Sequence, residues 1–166
     1  YKTKEFNLNE FSPEENASVI VVESVEKPGN LGAILRSCEA FGIDALIVTD
    51  TKVDVYNPNV LRSSVGCFFG MNVFSASNEE TLAFLQKNNF KIYTTFMDES
   101  AEDLYQKNFT EKSALFFGTE PSGLSDFWLN KGENILIPMA GTIDSLNLSN
   151  AVAIACYEIL RQKLNK

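Results

Sequence analysis

The sequence predicts an α/β fold, a doubly wound and mostly parallel sheet with helices on both sides. Two patterns carry that expectation. Short β-branched or aromatic runs that read as buried strands recur along the chain, and segments of helical period separate them. Length and composition bound the rest. The chain has 166 residues, 45% of them hydrophobic, with 13 Phe, which is one domain's worth of sequence. It can bury a substantial core without disulfides or a structural metal, and it is not a disordered polymer. Residues 1–166 therefore read as a single domain, with no linker or repeat dividing them.

The elements follow in order. A first strand is expected over 18–23, then a helix whose apolar face is Leu31, Ile34, Leu35, Cys38 and Phe41, then a strand over 45–49. Asn57-Pro58 offers a cap followed by proline at the first helical position. A strand is expected over 71–75. Asn78 followed by Glu79 and Glu80 suits the positive end of another helix. Strands over 90–96, 114–118 and 134–138 complete the sheet, and Leu148, Val152, Ala155, Ile159 and Leu160 mark the stripe of a final helix.

Several chemistries are excluded at once. The chain contains no histidine, which removes Ser-His-Asp and Cys-His catalysis and every His-containing zinc signature. Cys38, Cys67 and Cys156 are far apart in sequence and form no CxxC pair, so buried reduced thiols are expected. No metal-ligand cluster is evident. No apolar run reaches the roughly 18 to 20 residues that span a bilayer, and the opening residues lack the apolar core of a secretory signal, so a cytoplasmic protein is expected. The first residue is Tyr rather than Met, which leaves room for an upstream segment. Neither GxGxxG after the first strand nor GxxxxGK[ST] is present, which argues against a dinucleotide oxidoreductase or a P-loop NTPase.

Ligands of open α/β sheets sit at the carboxyl ends of strands, so the loops after the strands are the places to search. The first reads Lys27-Pro28-Gly29-Asn30-Leu31-Gly32-Ala33-Ile34-Leu35-Arg36. Its glycines permit a tight turn, and Asn30 can cap the following helix. Arg36 falls about 140° around that helix from Leu31, away from the apolar stripe; a solvated cation near Glu39 is the plain alternative. The second loop, Gly118-Thr119-Glu120-Pro121-Ser122-Gly123-Leu124-Ser125, sets two glycines around a carboxylate, although a turn before a short helix would look the same. The third runs from Ile137-Pro138-Met139 through Gly141 to Ser145-Leu146-Asn147 and enters the final helix. Ser145 and Asn147 are natural caps, but capping does not account for the whole pattern.

Taken in order, these three segments resemble the three motifs of the SpoU/TrmH family of SPOUT-class methyltransferases, over roughly residues 18–161. Asn30, Gly32 and Arg36 match the first motif; Gly118, Glu120 and Gly123 the second; Ile137, Pro138, Met139, Ser145, Leu146 and Asn147 the third. Lys27 stands where an acidic residue is common, and Pro121 where glycine often follows the glutamate. The resemblance implies a C-terminal deep trefoil knot, S-adenosyl-L-methionine as cofactor, and methyl transfer to a ribose 2′-hydroxyl of tRNA or rRNA. It implies cofactor contacts at Gly118, Ile137, Met139, Ser145 and Leu146, and catalytic roles for Arg36, Asn30, Glu120, Ser145 and Asn147. It also implies a homodimer in which one subunit helps complete its partner's site.

Two roles for Arg36 stand open: a general base of perturbed protonation, or a phosphate ligand that orients the hydroxyl. A net charge of −8 is unusual for an RNA-binding chain, and Lys27, Arg36 and Arg62 are the candidates for a local basic patch. A catalytically silent knotted module that binds RNA or a protein partner is the competing reading, and an unrelated nucleotide-binding α/β protein a third.

Overall fold

Residues 7–119 and 122–165 are described in the computed structural model. The strands are β1 (Ser18–Glu23), β2 (Ala45–Thr49), β3 (Asn72–Ala76), β4 (Lys91–Thr94), β5 (Glu102–Asp103), β6 (Ser113–Phe117) and β7 (Glu133–Leu136). The helices are α1 (Pro28–Ala40), α2 (Pro58–Ser63), α3 (Asn78–Lys87) and α4 (Leu148–Leu164). The strands form one sheet in the order β3-β2-β1-β6-β4-β7-β5. Every pairing between these strands is parallel. A parallel sheet must be covered on both faces, and every residue of β1, β2 and β6 is buried.

Alternation along the strands splits the core into two layers. Ile20, Val22, Leu46, Val48, Leu115 and Phe117 pack in one cluster with Leu31, Ile34 and Leu35 of α1 and Val152 and Ile159 of α4. Val19, Val21, Ile47, Ala114 and Phe116 pack on the other side with Phe84 and Leu85 of α3 and with Trp128. Burying each large apolar side chain is worth about 1.5–3 kcal/mol, so the central strands hold the sheet from both sides. The expected helices on both faces are present.

The helix starts follow local chemistry. Asn57 accepts from the Asn59 amide at the start of α2, with Pro58 in the first turn. At α3 the cap is Ser77 rather than Asn78: Ser77 and Glu80 form a reciprocal capping box. Asn30 is not a cap either. Proline at the first position starts α1 at Pro28, which puts Lys27 at the cap with no side-chain bond and Asn30 inside the first turn.

Strand ends shift by one to two residues from the sequence reading. Residues Thr95 and Phe96 leave the sheet after β4, and Ile137 and Pro138 leave it after β7. The two-residue β5 has no apolar signature and was not expected. Cys38 and Cys156 are buried, as expected of inert thiols, but Cys67 is only half-buried. Strand β7 lies between β4 and β5, although both precede it in the chain. Among the described residues no helix is long and apolar enough to cross a membrane.

Candidate active site

The carboxyl ends of β4, β6 and β7 lie side by side, and the three loops that leave them enclose a cavity of about 790 Å³. Its size is that of a small-molecule site. The loop after β6 contributes Gly118, Thr119 and Gly123, and the segment after β7 contributes Ile137, Met139, Gly141, Ile143, Asp144, Ser145 and Leu146. Leu148 and Ala151 close the wall from the first turns of α4. All five residues expected to touch a cofactor, Gly118, Ile137, Met139, Ser145 and Leu146, therefore line one cavity.

Close backbone approach shapes the loop after β6. A Cβ on Gly118 would sit 2.0 Å from the carbonyl carbon of Gly123, so only glycine lets the two ends of this loop meet. The Gly123 amide donates to the Thr119 carbonyl at 2.8 Å, and Gly123 takes a left-handed φ of 65°. Glu120 lies outside the described residues.

The loop after β4 was missed in the sequence. Thr95, Met97, Asp98 and Glu99 all line the cavity, but the aromatic run to Phe96 reads as strand and hides the point where the chain turns out. Hydrogen bonds from the Ser100 hydroxyl and amide, and from Asn134 Nδ2, hold the Asp98 carboxyl below the ordinary aspartate range. Among the described residues, Asp98, Glu99 and Asp144 are the charged lining residues, and no Lys or Arg joins them.

Asn147 caps α4, accepting from the Ser149 amide at 3.0 Å and the Ser149 hydroxyl at 2.7 Å. Its Nδ2 donates to Asn30 Oδ1 at 3.4 Å, so the first and third motifs meet beside the cavity although 117 residues separate them. Arg36 is elsewhere. It is exposed on α1 and does not line the cavity, and among the described residues no ion pair engages it. The structure thus joins Asn30 and Asn147, gathers Gly118, Ile137, Met139, Ser145 and Leu146, and leaves Arg36 apart.

Known proteins resemble this chain in sequence and in fold. The model of the SpoU rRNA Methylase family matches residues 17–157. The 23S rRNA (uridine(2479)-2′-O)-methyltransferase of Streptomyces viridochromogenes is 32% identical over 165 residues, 96% of this chain and 58% of that protein. The tRNA (guanosine(18)-2′-O)-methyltransferase of Thermus thermophilus is 34% identical over 148 residues, 87% of this chain and 75% of that protein. Among solved structures, the SpoU methyltransferase AviRb from Streptomyces viridochromogenes in complex with AdoMet aligns with a TM-score of 0.90 at 29% identity, over 98% of this chain and 64% of that one. The chain thus spans about three-fifths of the Streptomyces protein's length.

Proposed function

Since the chain belongs to the SpoU rRNA methylase family, we propose that it transfers a methyl group from S-adenosyl-L-methionine to a ribose 2′-hydroxyl of tRNA or rRNA. The observation that carries this reading is the convergence of Gly118, Ile137, Met139, Ser145 and Leu146 on one cavity at the strand ends. The lining fits such a cofactor. Its apolar wall suits an adenosine, and the three carboxylates without a cation among its described residues suit a ligand bearing a positive sulfonium. When bound, S-adenosylmethionine supplies an activated methyl group for in-line displacement.

The chain's own residues do the rest. Gly118, Ile137 and Leu146 hold the cofactor through main-chain groups and apolar contact, with Met139 and Ser145 at the mouth. Asn30 and Asn147, bonded to each other, orient the ribose. Arg36 binds the adjacent phosphate and directs the hydroxyl, since its exposed, planar fork of N–H donors matches phosphate oxygens. Glu120 is assigned to the same task of orientation.

Several wider assignments belong to this reading. Residues 1–166 form one catalytic domain, working in the cytoplasm where tRNA and rRNA are. We assign the C-terminal part to a deep trefoil knot, a reading supported by the position of β7 between β4 and β5, both of which precede it in the chain. The functional unit is a homodimer. Arg36 stands off its own chain's cavity, while α4, packed on α1, exposes Ile154 and Tyr157, an apolar face for a second copy that would bring Arg36 to the partner's site.

The test is incubation with radiolabelled S-adenosylmethionine and RNA from a strain lacking the protein, followed by nuclease digestion and nucleoside chromatography. Label in a 2′-O-methylnucleoside is expected. Label in a base, or cofactor binding without transfer, would overturn the reading; the latter would favour a silent module.

A further inference from the structure

Glu23, the last residue of β1, is 2% exposed and no charged partner neutralises it among the described residues. Its carboxylate instead accepts four neutral hydrogen bonds. Asn78 Nδ2 at the start of α3 donates to Oε1 at 2.7 Å, as do the Ser125 hydroxyl at 2.7 Å and Trp128 Nε1 at 3.2 Å. The Ser125 amide donates to Oε2 at 2.7 Å. Three of the four donors belong to the segment between β6 and β7. Beside Glu23 in the sheet register stands Thr49, fully buried, its hydroxyl without a hydrogen-bond partner among the described residues.

Burying an unpaired carboxylate is costly, and apolar packing would stabilise this layer at least as well. What a carboxylate alone offers is acceptance on both oxygens. The Ser125 amide and the Trp128 indole can only donate, and they address different oxygens. A glutamine would turn its NH₂ on one of them whichever way it faced.

Ser125 ends the loop whose Gly118, Thr119 and Gly123 line the cavity. Leu124, between Gly123 and Ser125, is buried in the same layer as Trp128. We propose that Glu23 is a positioning residue, which fixes the loop after β6 in its cofactor-binding shape by gripping Ser125 and Trp128 from beneath. This deepens the methyl-transfer reading and rests on it for its kinetic consequence. Glu23 touches neither cofactor nor RNA; it acts through the loop.

The test uses Glu23→Gln and Ser125→Ala in the full chain. In Glu23→Gln the KM for S-adenosylmethionine rises about tenfold, the size expected from losing one well-formed hydrogen bond, while the KM for RNA stays at its wild-type value. Ser125→Ala, which keeps the amide contact, gives a smaller rise of the same kind and serves if Glu23→Gln does not fold. A ligand-free arm runs beside it. Amide exchange at Gly123, Leu124 and Ser125 quickens in Glu23→Gln while β1 and β6 keep their protection, and the emission of Trp128, the only tryptophan, shifts. A variant with a lower melting temperature but wild-type cofactor KM and loop exchange would overturn the proposal. A wild type that binds no S-adenosylmethionine would overturn the methyl-transfer reading instead, and loop exchange would still decide the role of Glu23.

Discussion

Asn147 uses both ends of its side chain: its oxygen caps α4 through Ser149, and its nitrogen reaches Asn30. The two can be separated. Asn147→Ala loses both, and the lost cap lowers stability by about 1 kcal/mol, a fall in Tm of roughly 2–4 °C for a chain of this size. Asn147→Asp keeps the acceptor and restores the melting temperature, but it has no donor for Asn30 and leaves methyl transfer impaired; thermal melts and initial rates on the same samples check this. Ile137, Met139, Ser145 and Leu146 were legible as cavity residues because they stand in two short, chemically specific runs, and Gly118 because a glycine at a strand end signals close approach. Asp98 and Glu99 were not, since nothing in a Phe-rich run marks where the strand stops. That Arg36 stands apart from the cavity was not legible, because helical periodicity places it off the apolar stripe without saying what it faces.

At the level of elements, an ion chain crosses the three strands whose order departs most from the sequence. Lys91 of β4 pairs with Glu133 of β7, Glu133 with Lys107, and Lys107 with Glu102 of β5. Hydrogen bonds from Lys91 and then Lys107 lower the Glu133 carboxyl below its ordinary range. A depressed carboxylate stabilises the fold above its unfolded-state value, near 4.3, and that contribution is lost as pH falls through the folded value. Denaturant midpoints measured from pH 7 down to pH 3 should therefore fall less steeply for Glu133→Gln than for the wild type; equal slopes would remove Glu133 from the acid response. Lys91 is raised by its bond to Glu133, and Lys107 by its bond to Glu102 and then to Glu133, so their contribution persists below the ordinary lysine value and fades only as pH rises through the raised one. Six of the seven strands were readable as apolar runs. Strand β5 was not, because Glu102 and Asp103 are polar and its pairing with β7 supplies the only reason it is a strand. Nor was the order β4-β7-β5 readable, since periodicity reports which face is buried and not which neighbour is chosen.

For the whole molecule, the proposed RNA substrate would be a polyanion facing a chain of charge −8. Lys27, Arg36 and Arg62 are all exposed, just before α1, on α1 and on α2, and these two helices pack against each other; on the proposed reading the three cations supply phosphate contacts. The KM for RNA should rise with salt while the KM for S-adenosylmethionine changes little, because phosphate contacts release counterions. The exposed face of α4 gives a second expectation. Tyr157→Glu should yield monomers in sedimentation, abolish transfer, and leave cofactor affinity per chain unchanged. The most direct test of the central claim is calorimetric titration of S-adenosylmethionine into the wild type, Gly118→Ala and Arg36→Ala, with turnover measured in parallel and folding checked by circular dichroism. The wild type is expected to bind, a folded Gly118→Ala to lose affinity because its Cβ forces Gly123 away, and Arg36→Ala to bind normally without turning over. Lost binding in Arg36→Ala, or wild-type binding in Gly118→Ala, would contradict that claim.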